Sequence, residues 1–306
     1  MKQVYGVGLA LALAGTALAG GNGGSAGAFL TLPAGARSAA MGEGGVADTV
    51  DANALQINPA AMAVLGQASV VGTHGTYIDS SSFDAISYVN PKSKIGAWGV
   101  GVQYFSAGSI DRTDNAGNPD GSLTPKDMAL TGGYARPMGP VVGGIGVKYI
   151  KSTLVDSASA LSLDLGVESR GLMNNRLTLG LVGQNLVGSL KYDAETNPLP
   201  RQIKVGAGYE VKKNWTAVAD LVFPKDADSW FSLGTEYGVK VYEPWGLALR
   251  GGYDTRTSDV DGFAGFTLGL GVTHKAMSVD YAYLPFGDIG TTHWVTLGWK
   301  FEGGSK

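Results

Sequence analysis

From residue 67 onward, apolar side chains alternate with small or polar ones in runs of eight to thirteen residues separated by turn-forming clusters. In 160–168, Leu161, Leu163, Leu165 and Val167 share one face, and Ser162, Asp164, Gly166 and Glu168 share the other. The run 202–211 sets Ile203, Val205, Ala207, Tyr209 and Val211 opposite Lys204, Gly206, Gly208 and Glu210. Applied throughout, the pattern predicts about fourteen antiparallel strands, at 67–77, 82–90, 95–106, 127–136, 141–153, 159–169, 176–186, 201–211, 214–223, 229–238, 246–255, 262–273, 277–284 and 292–302.

The connections sort by parity. Those after odd-numbered strands include the longest, 107–126 and 187–200, while those after even-numbered strands are tight, as at 90–93, 136–139, 212–213 and 275–276. Charge follows the same division. Asp111, Asp114, Asp120, Asp193, Glu195, Asp226, Asp228, Asp259, Asp261 and Asp288 fall in the long set, and Lys92, Arg170, Lys212, Lys213, Lys240 and Lys275 in or beside the short set. Short turns at one end and longer loops at the other are the habit of outer-membrane barrels.

Alternation alone also suits a water-surrounded barrel, so size has to decide which face is outside. Fourteen strands enclose a space too wide to be filled by a glycine, serine and charged face as a dry core. The aliphatic and aromatic face is therefore expected to meet lipid, and the polar face to line a wet lumen. The lumen-facing set is then Lys148, Asp164, Glu168, Lys204, Glu210, Asp220, Glu236, Arg250, Asp280 and Lys300. Tyr104, Tyr134, Tyr149, Tyr209, Trp215, Phe223, Tyr237, Tyr253, Tyr283 and Trp299 fall near strand ends, as interfacial girdles do.

Composition changes this picture in three places. Glycine supplies 48 of 306 residues and charged residues 16%; because the glycines alternate with Val, Leu, Tyr and Trp, they belong inside strands, not in a low-complexity linker. There is no cysteine, which removes disulfides and thiol chemistry, and a net charge of −3 gives no reason to expect nucleic acid. Residues 1–19 read as a secretory signal peptide, with Lys2, an apolar stretch from Val4 to Leu13, and Ala17-Leu18-Ala19 before Gly20. No later stretch is long and apolar enough for a membrane-spanning helix.

Residues 20–66 break the strand pattern. A disordered leader fits them; a plug packed in the lumen fits better, since Gly35, Ala36, Ser38, Ala39, Ala40 and Gly42 allow backbone to lie close against a glycine-rich wall. Asn53 and Pro59 are expected to delimit a short helical turn, and Arg37 to find a lumenal carboxylate such as Asp164, Asp220 or Asp280. The domain reading is a signal peptide at 1–19, a plug at 20–66, a barrel at 67–302 and a tail at 303–306.

The stretch PAGARSAAMGEGGVADTVDANALQINPAAMA, Pro33 to Ala63, resembles the amino-terminal signature of PorV/PorQ-type outer-membrane proteins, relatives of the FadL transporters. DYAYLPFGDIGTTHWVTLGWKF, Asp280 to Phe301, resembles that family's last hairpin. The resemblance implies a fourteen-strand barrel with an amino-terminal hatch containing Arg37, Asn53, Asn58 and Pro59. The family's usual Asn-Pro-Ala-Gly reads here as Asn58-Pro59-Ala60-Ala61. Trp299 and Phe301 resemble the aromatic ending read by the barrel-insertion machinery.

No catalytic constellation stands out. His74, His274 and His293 lie on different strands or turns without metal-ligand spacing, and no Gly-x-Ser-x-Gly elbow occurs. Gly99/Gly101 and Gly269/Gly271 sit mid-strand with no helix following, so no nucleotide site is expected. The expectation is a non-enzymatic barrel without cofactor or metal. Its leading role is a gated passage for small hydrophobic molecules. The alternatives are a surface docking protein for exported proteins, as the PorV resemblance implies, and a passive structural barrel.

Overall fold

The computed structural model describes residues 25–301 apart from 78, 79, 115, 117, 170, 194 and 258–261. The leader 1–19, Arg170, Asp259, Asp261 and the tail 303–306 lie outside the described residues. Fourteen strands close into a barrel: β1 (Ser69–Thr76), β2 (Ser82–Ser93), β3 (Gly96–Ser106), β6 (Lys126–Met138), β7 (Val141–Thr153), β8 (Ser157–Ser169), β9 (Leu177–Gln184), β12 (Gln202–Lys212), β13 (Trp215–Pro224), β14 (Trp230–Tyr242), β15 (Trp245–Asp254), β16 (Phe266–His274), β17 (Met277–Pro285) and β18 (Thr291–Lys300). Every barrel pair is antiparallel, and the ring closes where β1 meets β18, from Ser69 opposite Lys300 to Thr76 opposite His293.

Two small hairpins stand apart from the ring. β4 (Ile110–Thr113) pairs with β5 (Pro119–Leu123), and β10 (Ser189–Tyr192) with β11 (Glu195–Pro198). Both lie within the stretches expected to be plain loops, 107–126 and 187–200. Each pairs only with its partner strand, not with the ring, while Leu190 of β10 packs its side chain against the barrel residues Ile150 and Ala158. The twelfth barrel strand begins at Phe266, not at 262, because Gly265 takes φ +86° and turns the chain into the strand.

The faces divide as the alternation requires. On β8, Leu161, Leu165 and Val167 are exposed while Ser162, Asp164 and Glu168 are buried. On β14, Phe231, Leu233 and Tyr237 are exposed and Ser232 is buried. The exposed apolar belt extends through Leu247, Leu249, Leu268, Leu270, Val295 and Leu297, a continuous surface larger than water-facing monomers carry. At the tight-turn end it is edged by Tyr134, Trp215, Tyr237, Trp245, Trp299 and Phe301, all exposed.

The described amino-terminal segment is irregular. It has 3-10 turns at Ala28–Thr31 and Pro59–Val64 and short helices at Ala36–Ala40 and Ala54–Ile57. Its backbone pairs mostly within its own turns, and inward-facing side chains of the barrel take several of the groups left over. Ala36 N donates to Thr296 Oγ1 at 2.8 Å, and Gly42 N to Thr267 Oγ1 at 3.0 Å. Ala36, Ala39, Ala40, Ala52, Ala54, Leu55, Ala60, Ala61 and Met62 are fully or almost fully buried.

Candidate functional site

The segment and the wall meet in a chain of charges. Arg37 Nε and Nη2 donate to the two carboxylate oxygens of Glu236 at 2.9 and 3.1 Å, a planar fork that only a guanidinium makes. Nη2 also reaches Asp48 Oδ2 at 2.6 Å, and Nη1 the Asp48 carbonyl at 2.7 Å. Glu236 is shared: Arg250 Nε donates to it at 2.5 Å, and Arg250 Nη1 donates to Asp280 Oδ1 at 2.6 Å. Burial works against the charge on Arg37, but the carboxylates of Asp48 and Glu236 outweigh it and hold the guanidinium above its ordinary pKa.

This corrects the expected partner. Arg37 pairs with none of Asp164, Asp220 or Asp280, because each is engaged elsewhere. Asp280 takes Arg250. Asp220 Oδ2 accepts from the amides of Gly45 (2.7 Å) and Val46 (3.1 Å), anchoring the segment through its backbone. Asp164 pairs with Lys148 at 2.8 Å and accepts from Asn185 N at 2.8 Å, while Lys148 Nζ also donates to Asn185 Oδ1 at 3.0 Å. That last set ties the wall to the chain leaving β9, not to the segment.

Asn53, Asn58 and Pro59 also differ in detail from the expectation. Asn53 precedes the helix Ala54–Ile57 without a side-chain cap, and Asn58, not Pro59, ends it. Asn58 Oδ1 accepts from Ala60 N at 3.1 Å and so caps the next turn, in which Pro59 is the first residue, where its missing N–H costs nothing. Asn58 Nδ2 donates to Val46 O at 3.0 Å, tying the two halves of the segment together. Ala61 lies inside that turn and needs no positive φ, so the usual glycine is dispensable here.

Glu168, Lys204, Glu210 and Lys300 share the inward face by register. Lys204 lines a small cavity beside the segment. Several contributors went unforeseen. Gln184 Nε2 donates to the carbonyls of Gln56 (2.8 Å) and Ile57 (2.9 Å), and Gln202 Nε2 donates to Gln184 Oε1 at 2.8 Å. Glu43 pairs with Arg256 beyond the long-loop end of β15, where burial opposes the Arg256 charge but Glu43 and Asp254 more than restore it. Gln184 and Gln202 shared the inward parity, and that was the available signal.

Close approach depends on glycine at two wall positions. A Cβ on Gly144 would lie 2.3 Å from Ala60 N, and one on Gly252 would lie 2.1 Å from Gly42 N. Toward the long-loop end, Phe29 and Leu30 pack with Ala129, Ile150, Ala158, Leu190 and Leu199 in an apolar cluster. Here the wall is thin in strand pairing, since β8 and β9 share only Leu165–Gly183 through Glu168–Gly180. Leu186 N then donates to Leu163 O at 2.9 Å, and Ser162 Oγ to Val187 O at 2.8 Å, as the chain turns away.

The histidines do not converge. His74 Nδ1 is 2.7 Å from Asp84 Oδ1 on the exposed face, His293 Nδ1 is 2.8 Å from Tyr281 Oη, and His274 stacks on Trp245 at 4.4 Å. Nothing in these contacts forms a nucleophile, base and orienting group.

The sequence profile of the family described as type IX secretion system protein PorV matches residues 23–219. No curated protein matches the chain by sequence. Among solved structures, the barrel is similar to a deletion mutant of the TodX monoaromatic hydrocarbon channel, with a TM-score of 0.58, 12% identity, 87% of this chain and 99% of that chain. It is similar to the toluene transporter TbuX of Ralstonia pickettii, with a TM-score of 0.55, 14% identity, and 88% and 98% coverage. A Pseudomonas aeruginosa FadL homologue gives a TM-score of 0.55, 10% identity, and 88% and 98% coverage. At such identities the likeness is one of fold.

Proposed function

The chain belongs to the PorV family of type IX secretion system proteins, and from that premise we propose that this outer-membrane barrel is a surface docking protein for exported proteins. One observation supports the choice: the amino-terminal segment packs against inward-facing residues of the wall. The two cavities that this segment lines have volumes of about 30 and about 10 Å³. A drug-sized ligand needs a pocket of roughly 300 Å³ or more. In this reading residues 25–66 act as a plug, latched by Arg37 and seated by Asp220, and the outer loops do the work. The β4–β5 hairpin, exposed along Asp111, Arg112, Asp120 and Ser122, is one of these.

The test is to replace residues 108–124 by a tight turn and to ask whether the barrel still captures secreted proteins that carry a shared carboxy-terminal domain. Loss of capture with the barrel still folded is the expected result. Capture at the level of the intact chain would overturn the docking reading.

The second reading, a gated passage for small hydrophobic molecules, is favoured by a different observation: the short β8–β9 pairing beside the apolar cluster at Phe29 and Leu199. Displacing residues 185–199 there would join that cluster to the lipid face. Uptake of radiolabelled toluene by vesicles carrying the purified protein measures it; uptake no faster than in empty vesicles would leave docking alone.

A further inference from the structure

Two cavities lie on opposite sides of the amino-terminal segment and share two lining residues, Ser38 and Ile57. The larger is lined by Glu43 and Gln56 of the segment and by Gln103, Lys148, Gln184 and Lys204, which sit toward the long-loop half of their strands. The smaller is lined by Arg37, Gly45, Asp48, Val50, Asp51 and Asn53. Val50 is exposed, and Lys300, at the tight-turn end of β18, acts on the charge of Asp51, which places this cavity toward the opposite end.

The larger cavity is the more polar of the two and has unmet hydrogen-bonding capacity. Gln56 is 6% exposed, yet neither its Nε2 nor its Oε1 has a protein partner; Gln103 Oε1 has none either. Buried polar atoms of this kind are met by water, for which a cavity of about 10–15 Å³ suffices. The charges are unevenly committed. Lys148 is held by Asp164 and Glu43 by Arg256, while no ion pair within 4.0 Å joins Lys204 to a carboxylate among the described residues.

From this geometry we infer a latent path for water and small hydrophilic ions through the lumen, closed at Ser38 and Ile57, with Lys204 as the charge that a permeating ion meets on the long-loop side. The path is separate from the docking role of the outer loops and differs in chemistry from a hydrocarbon route, because the side chains of Gln56, Gln103, Gln184 and Lys204 line its larger cavity.

The chain has no cysteine, so Ile57→Cys creates a single thiol whose access can be read directly in the full-length protein. In lipid vesicles in nitrate buffer, silver ion, a thiol reagent no larger than a water molecule, is expected to modify Ile57→Cys from both sides. Leu55→Cys, packed on Gly133 and Met62 away from both cavities, is expected to stay unmodified. In planar bilayers separating a tenfold gradient of potassium chloride, Ile57→Ala with Ser38→Gly is expected to show discrete conductance steps, and Leu55→Ala none. Adding Lys204→Glu to the open variant is expected to shift the reversal potential toward cation preference.

Variants are first checked for the slower gel migration of an unheated barrel. If the double variant fails to fold, the two cysteine variants still decide the matter. An unreactive Ile57→Cys, equal conductance in Leu55→Ala, or a reversal potential indifferent to Lys204→Glu would overturn the inference.

Discussion

At the scale of single residues, the charge chain from Asp48 through Arg37, Glu236 and Arg250 to Asp280 is where the segment meets the wall electrostatically. Arg37→Ala leaves Asp48 without its cation while Glu236 keeps Arg250. The expected cost is on the order of 3 kcal/mol, measured by urea unfolding of the lipid-inserted protein. Arg37→Lys should recover only part, since an ammonium cannot make the fork. Asp51 behaves oppositely: burial pushes its carboxyl pKa up, only partly offset by the Asn53 amide and by Arg37. A raised carboxyl favours the protonated form in the fold, so its contribution is present at acid pH and is lost as pH rises through the folded pKa. Asp51→Asn is therefore expected to raise the unfolding midpoint at pH 7, with the gain vanishing below about pH 4, near the ordinary Asp pKa. That these charges face inward was legible in the alternation, because a strand's period is two. Which carboxylate receives Arg37 was not, since it depends on how far round the ring each strand stands.

At the scale of elements, the amino-terminal segment is irregular backbone within the barrel, tolerated because its own turns and the surrounding wall together satisfy its polar groups. Thr267 shows this in one residue, accepting from Gly42 N at 3.0 Å and donating to Ala40 O at 2.9 Å. The segment should come away if the wall is thickened. Gly144→Val places carbon where Ala60 lies and is expected to expose residues 36–66 to added protease while the barrel keeps its gel migration; an undigested segment would show that the fit tolerates the extra atoms. The small residues at 35–42 signalled close packing in advance, since little else explains such a run. The Asn53–Pro59 reading was only half right, because an Asn before a Pro caps the following turn as readily as it ends the preceding one. The β4–β5 and β10–β11 hairpins were missed because four- and five-residue strands with polar sequence carry no alternation long enough to read.

At the scale of the whole molecule, closure joins residues at the two ends of the barrel sequence. Val70 stands opposite Trp299 and Val71 opposite Gly298, and Phe301 N donates to Ala68 O at 2.8 Å. Trp299 and Phe301 are exposed on the belt's edge, with Phe301 in edge contact with Tyr88 at 6.0 Å. If the pair also serves as the insertion signal, Trp299→Ala with Phe301→Ala should slow assembly in cells far more than it lowers the stability of barrels once formed; equal effects on both would reduce the pair to packing. The sequence by itself determined the number of strands, the face each presents and which end carries tight turns, because these follow from a local period of two and from turn-forming residues a few positions apart. Only the tertiary structure decided that Glu236 and Asp48 hold Arg37, that Asp220 holds the Gly45 and Val46 amides, and that Ser38 and Ile57 separate two polar cavities. Those contacts join residues up to about two hundred positions apart, and they exist only once the ring has closed and brought its far strands around one segment.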